Sequence, residues 1–222
     1  MKKEKINGVI VPYDKSTEEL EIMLSGGSMS DFVVACEALS YKTDDKSFDL
    51  LERYITDKDK NKRLCILKTI FRHPSSRKLK KFLEESILSD DIWFSENGLK
   101  VAFECDIDVS DIVIFTAVNK YIENLYCTSL YILRKTEVNE VNFLKLVQLF
   151  KQAVVSGQKE ILGEILFEKY LPEKAQDLFD LFSKDDFSKI RLLAVKIGKK
   201  YGFNIEVFNS DADGHVRKEA SE

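Results

Sequence analysis

Apolar residues return every three or four positions along nearly the whole chain, and only brief polar breaks interrupt them. That period belongs to amphipathic helices rather than to strands, which alternate every second residue. It predicts helices over residues 17–25, 30–41, 45–56, 60–72, 75–88, 92–104, 109–118, 121–134, 138–155, 158–170, 173–183 and 187–200. Several boundaries carry their own chemistry. Ser30-Asp31 precedes Phe32, Asp44-Asp45 precedes Phe48, and Pro172 opens the segment that ends at Phe182; short oxygen-bearing side chains and proline both suit a helix start. Gly26-Gly27, Gly157 and Gly202 fall where a helix end can use a left-handed residue. The Val9–Val11 run reads either as a short strand or as a docked N-terminal arm.

Composition sharpens this picture. Nine glycines and three prolines in 222 residues are too few turn formers for a sandwich or barrel, and 44% hydrophobic residues suffice for a substantial core. The fold class is therefore all-α.

Three segments align without gaps: Asp57 to Ile66, Asp185 to Ala194 and Asp211 to Ala220. Each has an Asp, an Arg six residues on (Arg63, Arg191, Arg217), and a small or aliphatic residue three beyond it. The last also keeps Asp213 and Val216, whereas Lys62 and Phe187 depart from the pattern in the other two. A looser fourth candidate, Ser89-Asp90-Asp91, has Glu96 where the Arg would fall. The Asp is expected to cap a helix, and the Arg to cover apolar surface while reaching an acceptor in the neighbouring unit.

This pattern resembles the opening of the second helix in HEAT repeats. The resemblance implies a right-handed α-α superhelix, a HEAT-like (ARM-type) solenoid of about five to seven helical hairpins. It would have an N-terminal arm over residues 1–15, the repeat domain over 16–202, and a cap, frayed tail or truncated repeat over 203–222. In that family these residues maintain the stack, so the resemblance implies no catalytic role for them.

The materials for catalysis are sparse. His73, beside Pro74, and His215, within the last motif, are the only histidines and are expected at the surface or at helix caps. Asn209 to Gly214 opens like a calcium-binding loop, but Ala220 stands where a bidentate Glu belongs, and Arg217 is a cation within the would-be loop. Phosphate-cradle, nucleophile-elbow and zinc-protease motifs are missing from the sequence. Cys36, Cys65, Cys105 and Cys127 lack a C-x-x-C pair, each lies in an apolar helical pattern, and all four read as reduced, packed thiols. No metal, cofactor or catalytic residue is expected.

Charge matters more in its distribution than in its sum of -4. Residues 57–81 hold ten Lys and Arg against Asp57 and Asp59, while residues 14–52 hold ten acids against three lysines. A basic face carrying Lys60, Arg63, Lys68, Arg72, Arg77, Lys78 and Lys81 is the candidate binding site for a protein or acidic ligand. The plain alternative is a solvated helix surface partly neutralised by its acidic neighbours. Two apolar stripes, Phe143-Leu144-Val147-Phe150 and Leu178-Phe179-Leu181-Phe182, are expected in the core, and Tyr121, Tyr126 and Tyr131 suit either a groove or hairpin packing.

The expected function is a non-catalytic protein-interaction module. The alternative is a nucleic-acid-binding glycosylase of the DNA alkylation repeat type, a HEAT-like family for which this acidic chain with its one tryptophan, Trp93, is a poor match. Without an apolar run long enough for a signal peptide or membrane span, the expected location is the cytoplasm, away from membranes.

Overall fold

The computed structural model describes residues 4–6, 8–70, 72, 73 and 76–222, with side chains at all of these except 76–79. The chain folds as two compact units, Met1–Val109 and Ser110–Glu222. Apart from one two-residue strand pair, the regular structure of the described residues is helical.

The first unit begins with a two-residue antiparallel pair, β1 (Lys5–Ile6) and β2 (Val9–Ile10), so the Val9–Val11 run does supply a short strand. Six helices follow: α1 (Thr17–Gly26), α2 (Met29–Ser40), α3 (Asp45–Arg53), α4 (Lys60–Ile70), α5 (Ser76–Ile87) and α6 (Ile92–Glu104). The starts of α1 and α2 are set by capping boxes, in which Ser16 and Ser28 accept backbone N–H groups while Glu19 and Asp31 reach back. Helix α2 packs on α1, α3 and α4, and α6 packs on α4 and α5. Thus α2, α4 and α6 touch in series although they begin at Met29, Lys60 and Ile92, a step of roughly 30 residues. Phe32, Phe48, Leu39, Leu51, Ile66 and Ile70 are sealed between these helices, each contributing about 1.5–3 kcal/mol by leaving water.

The second unit contains α7 (Asp111–Tyr121), α8 (Cys127–Leu130), α9 (Glu140–Gln152), α10 (Ser156–Lys169), α11 (Ala175–Ser183), α12 (Ser188–Tyr201) and α13 (Gly214–Ser221). Helix α10 packs on α8, α9 and α12, and α12 also packs on α11 and α13, repeating the same alternate pattern. The single helix expected over 121–134 is instead a turn, the short α8 and a 3-10 turn at Tyr131–Lys135. Leu130 and Leu133, three apart and both buried, suit that tighter winding. Residues 203–222 form a 3-10 turn and α13; α13 docks on α12, Val216 is buried, and buried Phe208 meets the Phe179 ring of α11 edge-on.

The Asp motif performs a different local task from the one expected. Asp57, Asp185 and Asp211 each accept the backbone N–H two residues on, at 2.8, 3.0 and 2.8 Å. They shape the turn before the helix rather than capping it. Ser89 does the same for Asp91 at 3.1 Å, and at α13 the cap is Asp213, which accepts from His215 and Val216.

The fourth residue of a helix then reaches the acid that opens the next helix in the series. Arg63 of α4 pairs with Asp91 at 3.4 Å, Lys159 of α10 with Asp185 at 2.9 Å, and Arg191 of α12 with both oxygens of Asp211 at 2.7 and 2.9 Å. Arg191 also donates to the carbonyls of Asp185 and Asp186, tying its own turn down.

Arg191→Ala leaves the nearly buried Asp211 carboxylate and two carbonyls without their donor, so denaturant unfolding at neutral pH should lose about 2 kcal/mol. Arg191 holds the Asp211 carboxyl below its ordinary value of 3.8, outweighing partial burial. The rung's stabilisation is therefore complete above that value and fades as pH falls through the lower folded value; the stability gap between wild type and Asp211→Asn should shrink below about pH 4. Gly98 of α6 lies so close to α5 that an added Cβ would meet Ile87 Cγ1 at 2.9 Å and its backbone nitrogen at 3.2 Å. Gly98→Ala should therefore lower the melting temperature, although alanine is the better helix former by about 1 kcal/mol.

Candidate functional site

The basic stretch does not present its cations as one unpaired surface. Arg63 is committed to Asp91 and lies 5.8 Å from the Phe94 ring centroid; Lys60 is exposed, with its Nζ 6.0 Å from the Trp93 centroid. Arg72 pairs with Glu37 of α2, whose side chain is 5% exposed. Lys81 meets Glu85 at 3.7 Å, and its neighbour Lys80 meets Asp108 at 3.5 Å. Lys68 stands at an open groove between α2 and α4 with Met29, Val33, Leu64 and Cys65. The side chains of Arg77 and Lys78 lie outside the described residues. Hence Lys60 and Arg63 are brought together toward α6, while Lys68 and Arg72 belong to the contact with α2. Four of the pairing acids, Glu37, Glu85, Asp91 and Asp108, fall outside residues 57–81, so a local charge sum could not register them.

The second unit offers a surface that periodicity did not single out. Helix α9 starts from Asn139, whose side chain accepts the Asn142 N–H at 2.9 Å. It buries Phe143, Leu146, Leu149 and Phe150, but Val141 and Leu144 are 62% and 55% exposed. This corrects part of the expected core stripe. Seven apolar residues among 141–150 span more of the helix circumference than one buried face can hold, and that excess is the signal in the sequence. Ile112 of α7 is likewise 74% exposed.

Between α7 and α9 lies a groove of about 440 Å³ lined by Ile112, Phe115, Thr116, Lys145, Gln148 and Leu149, with Asn119 and Lys120 at its side. Its walls are registered by Asn142, which donates to Asp111 at 2.7 Å. Lys145 lies over the Phe115 ring, Nζ to centroid 5.0 Å, and no carboxylate among the described residues lines this groove. A second groove of about 250 Å³ follows between α9 and α11, where Leu144, Val147 and Leu181 meet Lys151, Lys174 and Asp177. Lys174 is held by Glu140 at 3.1 Å, and that hydrogen bond raises its pKa. Such a surface can accept apolar side chains and pair acids at its margins.

The chemical groups elsewhere are enclosed or lie at the surface. His73 is buried rather than superficial; its Nε2 lies 2.9 Å from Ser47 Oγ, and its ring meets Phe48 edge-on. Ser47 is sealed as well and engages the Asp44 carbonyl at 2.7 Å, so this Ser–His contact holds α3 to the end of α4 instead of facing a substrate. His215 is exposed. Of the cysteines, Cys105 is exposed at the end of α6, contrary to the packed role expected for all four. Among the described residues no group of three or more His, Cys, Asp or Glu side chains is placed to hold a metal ion, and no helix is long and apolar enough to cross a membrane.

The chain matches no protein-family model, and no curated protein sequence matches it either.

The pairings separate structural cations from free ones. Arg72→Met deprives the buried Glu37 carboxylate of its partner and should cost the first unit about 1 kcal/mol, a figure reduced for the solvent around Arg72. Lys60→Met should change stability by less than about 0.5 kcal/mol. Chemical denaturation of the two variants under identical salt checks the contrast.

Proposed function

We propose that this protein is a non-catalytic interaction module built as a HEAT-like helical stack, and that its second unit receives a protein segment with apolar anchors and an acidic flank. The observation that carries the reading is the open groove between α7 and α9, with exposed Ile112 on one wall and Lys145 across it. Exposed Leu144 continues the apolar surface on α9. Contiguous apolar surface of this kind is costly to leave in water, and on folded proteins it commonly marks a binding face. The stacked reading rests on the step of roughly 30 residues between helices in contact and on the recurring link from a helix's fourth residue to the next acid. The basic face of α4 and α5 is the competing location for the same function.

Affinity capture at low and moderate salt, with and without nuclease, discriminates these surfaces. The arms are wild type, a groove variant (Ile112→Asp with Leu144→Asp) and a variant neutralising Lys68, Arg72, Lys78 and Lys81. A stoichiometric, nuclease-resistant protein should bind wild type and the neutralised variant, and binding should fall at least about tenfold in the groove variant at unchanged melting temperature. Loss confined to the neutralised variant would move the site to the basic face. Recovery of only nucleic acid, released by salt, would replace the protein-binding reading with a DNA-binding one.

A further inference from the structure

Arg191 and Arg217 occupy the fourth position of α12 and α13, and each ties down its own turn in the same way. Arg191 Nη1 donates to the carbonyls of Asp185 and Asp186 at 2.9 and 2.8 Å, and Arg217 Nη1 to those of Asp211 and Ala212 at 2.6 and 3.0 Å. The two then part. Arg191 commits Nε and Nη2 to the Asp211 carboxylate, whereas the same two nitrogens of exposed Arg217 meet no acceptor among the described residues. Ala194, three residues beyond Arg191, is fully buried. Ala220, three beyond Arg217, is only half-buried and lines an open recess of about 820 Å³ with Asn209, Arg217, Lys218 and Ser221.

The molecule itself shows which acid satisfies such a fork. Asp211 stands two residues before the α13 cap, Asp213, and Asp185 stands two before the α12 cap, Phe187. Asp14 holds the same place two residues before Ser16, which caps α1. Unlike Asp185 and Asp211, it is exposed and makes no side-chain hydrogen bond or ion pair among the described residues. We propose that the Arg217 fork receives Asp14 of a second copy of this chain, so that copies join head to tail.

A planar guanidinium already held by two carbonyls is preorganised, so little side-chain freedom is lost when its remaining edge takes a carboxylate with two hydrogen bonds. The contact is heterologous. Each chain brings a donor on α13 and an acceptor ahead of α1, two different patches, so every added copy leaves one of each still open. An exposed ion pair alone contributes little in water; exposed Val207, in the turn that leads to α13, and exposed Ile22, on α1, offer apolar area for the rest of the contact. No residue of the recess lines the groove between α7 and α9, so head-to-tail joining and capture of a partner in that groove are independent properties.

Sedimentation velocity of the intact chain over a rising concentration series at low salt reads the association. Wild type should pass from monomer to dimer and larger species, and moderate salt should reverse that shift. Arg217→Glu and Asp14→Ala should each weaken self-association at least about tenfold, the second at unchanged melting temperature because Asp14 holds nothing in its own chain. Mixed in equal amounts, the two variants should form a dimer that grows no further, since each retains the surface the other lacks. A wild type that stays monomeric at every concentration, association that survives Asp14→Ala, or a mixture that yields no dimer would overturn the proposal. So would association lost only in the Ile112→Asp, Leu144→Asp variant, which would place the self-contact in the groove instead.

Discussion

A pair of helices four to fourteen residues long has too little apolar surface to exclude water on its own, so within each unit one pair depends on the next for its core. That dependence explains the alternate packing. Helices α2, α4 and α6 form one continuous series in the first unit, and α8, α10, α12 and α13 form another in the second. Helices α1, α3 and α5 pack against the first series, and α9 and α11 against the second. The core is built from residues about one hairpin apart in sequence, which is why Phe32, Ile66 and Leu99 are all sealed in one unit and Leu130, Leu162 and Val195 in the other.

Hydrophobic burial is non-directional and cannot by itself fix how one pair meets the next. The polar rungs supply that register. Arg191 combines two jobs, since its guanidinium grips the following acid in bidentate fashion and holds two carbonyls of its own turn. Lys159, a point charge, pairs with Asp185 and sits near Phe150 and Phe187, with Nζ to centroid distances of 5.1 and 5.7 Å. The same geometric need is met by different residues at different steps.

Accessible surface is what this packing leaves over. On α9 the side toward α10 is consumed by the core, and the opposite side keeps Val141 and Leu144 in solvent between two grooves. On α4 and just beyond its end, Arg63 and Arg72 are drawn into pairs with Asp91 and Glu37, and the open position beside Lys68 exposes a thiol instead. A local excess of charge thus became structural glue, and a local excess of hydrophobicity became accessible surface.

The sequence by itself determined that the protein is helical and where most helices begin, because period, capping serines and aspartates, and the scarcity of glycine and proline are local properties. It also exposed the Asp and Arg positions whose partners recur one step away. Only the tertiary structure decided which acids neutralise Arg63 and Arg72, since Asp91 and Glu37 lie 28 and 35 residues off. It likewise revealed Lys159 as a third rung where a search for arginine finds nothing, and the burial of His73 against Ser47. Spacing along a chain reports which face of a helix a residue occupies; what stands opposite that face is set by the packing of distant segments.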